Sequence, residues 1–393
     1  MRSVYLIGAS GLSEHRVHLT RRLGWGVILT DKGRTPLWHE LSQSVSTPYL
    51  DTVLLDGADV EGHRRQATLA RELGHDVELV YCPAEFGAES ASAVREVFGL
   101  PDNPREARAL ARDKGRALAR LAEAGVTTPG MVPQASWCGR WVVKPALCSG
   151  GSRGVRVLHY HPSQGDVVAM EEILHPGESW IVEPFIEGRH IDLNGFFSHG
   201  RYHWNGIMEK ETRGMLPAWG WAPVDLEAST ISRAYGLLEK GARALGLAEG
   251  PVKADMILME DGTLVVLEIE PRLHGDVSTC GVLPWVGMDP WRKLLTRQLD
   301  IHRGPYGFAA WWVLPHGWER WEGLEPAEGV SCTLLWRNPK QSQPEPKSTA
   351  EIAGYLALAG EGRESVLEVR GALWGLGETM PYEGGLDSRR AGL

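Results

Sequence analysis

Short apolar runs alternate with longer amphipathic stretches through the first quarter of the chain. Segments 4–7, 27–30, 53–55 and 77–81 carry consecutive buried-type residues and read as strands. Segments 13–23, 61–73 and 89–98 have helical periodicity, the first capped by Ser13 and stopped at Gly24. Strand and helix in strict alternation predict a small parallel α/β sheet.

The pattern changes after residues 101–104, where two prolines mark a linker. A single helix is predicted over 105–123, stopped at Gly125. Strands follow at 141–144 and 155–159 around a Gly/Ser-rich loop, then at 179–183, 191–197 and 202–208. A helix over 227–245, a hairpin of 253–259 with 263–270, and a helix over 290–299 complete the middle of the chain. From 305 onward a smaller α+β unit is expected, with a polar loop at 338–349.

Composition narrows the possible functions. The 393 residues are 43% hydrophobic, enough for two or three ordinary cores. The net charge is −9 with no long basic run, so nucleic acid is excluded as the expected partner. Five cysteines lie scattered without CxxC or Cys/His spacing, which argues against a disulfide scaffold or structural zinc. No apolar stretch approaches the ~20 residues that span a bilayer, and the N-terminal apolar run is short for a signal peptide. A cytoplasmic protein with no membrane partner is expected. Gly8 and Gly11 followed by Asp31 offer a weak dinucleotide signal without the full GxGxxG pattern; a tight turn at a strand's carboxyl end is the favoured explanation.

Asp261-Gly262 between two apolar strands predicts a two-residue hairpin turn. Counting outward from it pairs Asp255 with Glu268 and Lys253 with Glu270, on the face that also carries Ile257, Met259, Leu264 and Val266. Carboxylates so close repel unless they are protonated or share a cation. Magnesium, which takes hard oxygen ligands and is commonly shared with phosphates, is one resolution. A solvated hairpin with a Lys253–Glu270 pair is the other.

A second candidate is the stretch 146–154, which follows a strand ending in Lys144. Small residues let backbone amides converge on an anion, and the lysine adds charge. A flexible turn is the competing reading. Lys114, near the start of a helix segment, has no distinctive context of its own.

Taken in order, these pieces resemble the ATP-grasp superfamily. The resemblance rests on Asp113-Lys114 with Gly125 and Pro129, on Val142-Val143-Lys144-Pro145 with the loop to Gly154, on Val182-Glu183-Pro184-Phe185-Ile186-Glu187-Gly188-Arg189-His190, and on Asp255, Glu268 and Glu270-Pro271-Arg272. It covers roughly residues 1–300. Within the superfamily, Glu268-Ile269-Glu270-Pro271-Arg272-Leu273 and Gly275-Asp276 are similar to the L-amino-acid ligases and dipeptide synthases. The implied fold is α/β and α+β: a parallel pre-ATP-grasp domain over 1–104, a two-subdomain ATP-grasp domain over 105–302 with its lid at about 125–183, and an α+β domain over 303–393.

The resemblance also implies cofactors and roles. ATP and Mg2+, with Mn2+ as a substitute, are the expected cofactors. Lys114 and Lys144 contact phosphates under a lid formed by Ser149, Gly150, Gly151 and Ser152. Glu183, Phe185 and Ile186 line the adenine site, with His190 at the ribose. Asp255, Glu268 and Glu270 hold metal, and Arg272 steadies the transferring phosphoryl group. Arg213 and Trp219, in the segment 209–221, stand where a substrate-covering segment is expected; a surface loop with its tryptophans packed beneath is the alternative. Three departures matter: Glu270 replaces an asparagine, with Lys253 as its expected neutraliser, His190 replaces a glutamate, and, more mildly, Asp255 replaces a glutamate. The implied activity is ADP-forming ligation of a small carboxylate to an amine, both amino acids or their derivatives, in a homodimer. An ATP-grasp carboxylase using bicarbonate and a degenerate nucleotide-binding protein are the alternatives.

Overall fold

The computed structural model describes residues 1–8, 14–32, 50–133, 139–147, 152–158, 179–275, 277–297, 304–314, 328–336, 346, 351–352 and 354–375. Strands β1 (Arg2–Ile7), β2 (Gly26–Asp31), β3 (Leu50–Leu54) and β4 (Asp76–Tyr81) form a parallel sheet in the order β3-β2-β1-β4. Helices α1 (Glu14–Arg22), α2 (Val60–Glu72) and α3 (Ala88–Phe98) connect or flank them. Apolar side chains on both faces explain the near-continuous hydrophobic runs: Tyr5, Ile7 and Ile28 pack with Ala67 and Val94, while Val4, Leu6 and Val27 pack with Leu273 and Trp291. The second contact attaches this sheet to the rest of the molecule.

The expected linker at 101–104 is irregular but anchored. Asp102 pairs with Arg95 and Arg108, and the Asn103 amide bonds the backbone of Ala248 and Glu249. The expected single helix over 105–123 is two helices, α4 (Arg105–Arg112) and α5 (Lys114–Glu123). Asp113 leaves helical geometry, with φ −97° and ψ 98°, and its carboxylate accepts from the Arg116 amide at 3.1 Å. Asp113 therefore ends one helix and caps the next.

An antiparallel sheet of β5 (Trp141–Pro145), β6 (Arg156–Leu158) and β7 (Trp180–Pro184) has the order β6-β5-β7. A larger sheet holds β8 (Arg189–Ser198), β9 (Arg201–Arg213), β10 (Leu216–Ala222), β11 (Gly250–Leu258), β12 (Leu264–Glu270), β13 (Phe308–Val313), β14 (Ser331–Trp336) and β15 (Gly354–Gly360), ordered β12-β11-β8-β9-β10-β13-β15-β14. Helix α6 (Ala228–Ala244) packs with α5 over one of its faces, where Leu121, Leu238 and Ala242 meet Leu193, Ala254 and Ile269.

The segment 209–221 is no surface loop. It completes β9 and forms β10, turning at Gly214 with φ +58°. Helix α7 (Pro290–Thr296) ends at Arg297, whose φ of +56° closes it before 299. The C-terminal strands extend the large sheet through β10–β13 pairing, and α8 (Arg363–Gly375) lies against β13 and β15. The loop at 338–349 falls almost wholly outside the described residues. Among the described residues no helix is long and apolar enough to cross a membrane.

The hairpin corrects the sequence reading twice. Its turn has three residues, Glu260-Asp261-Gly262, because Met259 donates to Thr263 and Gly262 donates back to Met259. Met256 thus faces Val266 and Leu258 faces Leu264, one residue off the expected register. A bulge at Leu267 then restores it, so Asp255 faces Glu268 and Lys253 faces Glu270 as expected. The bulge also moves Leu264 and Val266 to the opposite face, into the core with Met256. Val265 takes their place beside Ile257 and Met259.

Candidate active site

Alternation along β8, β9 and β11 brings charged side chains to one face of the large sheet. His190 and Asp192 project there from β8, Lys210 from β9, and Lys253 and Asp255 from β11. The end of β12 adds Glu268 and Glu270, followed by Arg272 and His274. Lys253 is the centre of the cluster. Its ammonium lies 2.5 Å from Asp255 and 2.6 Å from Glu270, and it also bonds Glu268. Lys210 lies 2.6 Å from both Asp192 and Asp255, each contact made to a carboxylate Oδ1. The His274 Nε2 is 3.5 Å from the same two atoms. Arg272 pairs with Glu270 at 2.7 Å and approaches Glu85 at 3.8 Å.

Burial opposes charge throughout, and the local partners decide which groups keep it. Burial works against the Asp255 carboxylate, but Lys210 and Lys253 hold its pKa well below the usual range. Burial and the adjacent Glu270 instead raise that of Glu268. Burial raises that of Asp192 as well. Lys253, also opposed by burial, is held well above its usual value by Asp255, Glu268 and Glu270. Glu268 and Asp192 are therefore the members of the cluster that take a proton more readily than an ordinary carboxylate.

Lys114 connects this face to the three-stranded sheet. Its amide donates to the Ala146 carbonyl at 2.9 Å, just beyond β5, and its ammonium stands 3.9 Å from Glu268. The two side chains line a small pocket with Ala111, Leu118 and Glu270. Lys144 is buried and pairs with Glu183 at 2.6 Å across β5 and β7. Phe185 lies under the Arg140 guanidinium, and Ile186 packs against Val132, Ile257 and Val265. His190 is desolvated beside Lys210, which lowers its pKa to about 4. Ser152 reaches the β9–β10 turn, its Oγ donating to the Met215 carbonyl at 2.7 Å. Ser149, Gly150, Gly151 and the Arg213 side chain lie outside what is described. Trp219 belongs to the other face of the sheet, stacked on Trp221 and Trp312 and donating to Glu211.

The whole architecture recurs in solved structures. An L-amino acid ligase from Bacillus licheniformis matches with a TM-score of 0.70 at 19% identity, over 95% of this chain and 97% of that one. A carboxyaminoimidazole ribonucleotide synthase from Aspergillus clavatus, complexed with ATP, matches with 0.70 at 15% identity over 95% and 97%. The biotin carboxylase domain dimer of the Hydrogenobacter thermophilus 2-oxoglutarate carboxylase, in complex with MgADP, ADP and bicarbonate, matches with 0.67 at 15% over 94% and 89%. The fold is that of the ATP-grasp enzymes. No family model and no curated protein matches the sequence.

On this ATP-grasp fold, Asp192, Lys210, His274 and Glu85 are members of the charged face that sequence reasoning did not single out. Asp192, Asp255 and His274 present ligand atoms within 4.8 Å of one another. The period-two pattern from His190 to Asp192 carried a signal. Glu85, from the first sheet's neighbourhood, carried none, because its approach to Arg272 is set by packing between distant segments.

Proposed function

We propose that this protein is an ATP-dependent ligase that activates a carboxylate as an acyl phosphate and joins it to an amine, releasing ADP and phosphate. The observation that carries this reading is the placement of Lys114. Its backbone is tied to the end of β5 and its ammonium faces Glu268. One residue thus brings a cationic strand end and a carboxylate hairpin to the same pocket, as binding a polyphosphate with its cation requires. The solved ligase and the ATP- and MgADP-bound structures of similar fold support ATP and Mg2+ as cofactors.

The side chains fit such a cation. Glu268 and Glu270, with Asp255 behind them, offer hard oxygen donors, and the Glu268 side chain is 23% exposed. When bound, magnesium would offset phosphate charge. Lys114 and Lys144 bind the phosphates, Lys144 held in place by Glu183. Ser149, Gly150, Gly151 and Ser152 are assigned to the lid over them. Glu183, Phe185 and Ile186 enclose the base, and His190 adjoins the ribose as a neutral donor or acceptor. Arg272 presents a planar fork to the acid's carboxylate and to the transferring group. Its pairing with Glu270 fixes the fork in position. Exclusion of water protects the acyl phosphate until an amine attacks its carbon and phosphate departs. Arg213 is assigned to an acceptor's carboxylate. Trp219, behind the sheet, supports the acceptor hairpin from below. The domain division proposed is 1–104, 105–302 and 303–393.

Phosphate release from ATP is the test, measured with magnesium and pooled amino acids. Glu268→Gln and Arg272→Ala should each lower it by about a hundredfold, the scale of losing one charge-stabilising group, with unchanged circular dichroism. Near-normal turnover in either variant would remove the assigned roles. A requirement for bicarbonate in place of an organic acid would make the protein a carboxylase. Nucleotide binding without turnover over a broad panel would make it a binding protein.

A further inference from the structure

The carboxylates that would hold a metal already share a cation belonging to the chain. Lys253 touches Asp255, Glu268 and Glu270, and it is 3% exposed. Both oxygens of Asp255 are engaged, Oδ1 by Lys210 and Oδ2 by Lys253. Glu270 has Arg272 at 2.7 Å on the oxygen that also meets Lys253. Five carboxylates, Glu85, Asp192, Asp255, Glu268 and Glu270, thus face three contacting cations, Lys210, Lys253 and Arg272, with His274 beside them and Lys114 3.9 Å from Glu268. Bare carboxylates at this spacing would draw in any divalent ion. Here the attraction is largely spent, and an incoming ion meets an ammonium fixed among its ligands.

Resting on the ligase reading above, we propose that Lys253 is a resident counter-cation that denies the cluster to free divalent ions, so that metal enters only as its nucleotide complex. The nucleotide supplies what the protein lacks. Phosphate oxygens add negative charge and ligands on the open side of Glu268, and they restore a net attraction that Lys253 has cancelled. Lys253 also explains why a glutamate is tolerated at 270. Its charge is taken up within the protein at 2.6 Å, leaving the cluster no more negative than a neutral residue and no lysine would make it.

The experiment is a Mn2+ titration followed by the electron paramagnetic resonance of the free ion, with and without ADP. Wild-type protein should bind Mn2+ at least tenfold more weakly without ADP than with it. Lys253→Met should bind Mn2+ without ADP at least tenfold more tightly than wild type. Wild-type binding that is equally tight with and without ADP would overturn the proposal. So would a folded Lys253→Met whose nucleotide-free affinity is unchanged. If that variant fails to fold, Lys253→Met combined with Glu270→Gln removes one charge of each sign and is compared with Glu270→Gln alone, with the same expected gain. Calorimetry with ADP separates the two ideas. Absence of nucleotide binding defeats the ligase reading, whereas the nucleotide-free arm reads Lys253 in either case.

Discussion

Single residues here are governed by which neighbour offsets burial. His190 shows it in isolation. Desolvation, with Lys210 nearby, lowers its pKa from 6.5 to about 4. A depressed histidine contributes stability that is present above its unfolded pKa and lost as pH falls through the folded one. Wild-type protein should therefore lose about 3 kcal/mol from this group between pH 6.5 and 4, the free-energy equivalent of the shift. Urea unfolding of His190→Gln across that range should show a correspondingly shallower decline; parallel curves would contradict the desolvation account. Glu268 runs the other way. Its raised pKa means that protonation, and with it loss of a cation ligand, begins at a higher pH than for an exposed glutamate.

Elements were legible in the sequence wherever local chemistry decided them. The parallel strands and α6 follow from apolar periodicity, and the carboxylate hairpin from Asp261-Gly262 between two apolar strands. The break between α4 and α5 was missed because a good helix former surrounds Asp113 on either side, and only the capping geometry reveals it. That cap is testable. Asp113→Ala should cost about 1 kcal/mol, the usual worth of an N-cap side chain, and Asp113→Asn much less, both read by urea unfolding. β10 was missed because tryptophans on its outer face, Trp219 and Trp221, looked equally suited to a pocket. Their partners, Trp312 and the β13 strand, come from about ninety residues further on, beyond the reach of any local pattern. Gly188 shows how tightly β8 meets β11. A Cβ there would stand 2.3 Å from the Leu258 carbonyl oxygen. Gly188→Ala should therefore destabilise by about 1–3 kcal/mol, the range for overpacking, which thermal unfolding would measure.

At the scale of the whole molecule, the large sheet runs without interruption from the carboxylate hairpin at β12 to β14. Helix α8 and the strands around β13 cover Trp219 and Trp221, and β13 pairs with the edge of β10. A chain ending at residue 303 would bare that edge and its tryptophan face together. It should associate or precipitate on size-exclusion chromatography where the full chain does not. A well-behaved, nucleotide-binding truncation would show the C-terminal strands to be an independent addition. This long-range order was the least legible feature, since sheet order is fixed by packing between segments far apart in sequence.

The extra residue at Leu267 has a consequence for anyone aligning this chain with distant relatives. The offset between Lys253–Asp255 and Glu268–Glu270 is set beside the acids, not at the hairpin's tip. Tips of different length can therefore serve the same chemistry, and an alignment that counts back from the three-residue turn 260–262 without the bulge will misassign the acids by one position. The gap belongs at Leu267.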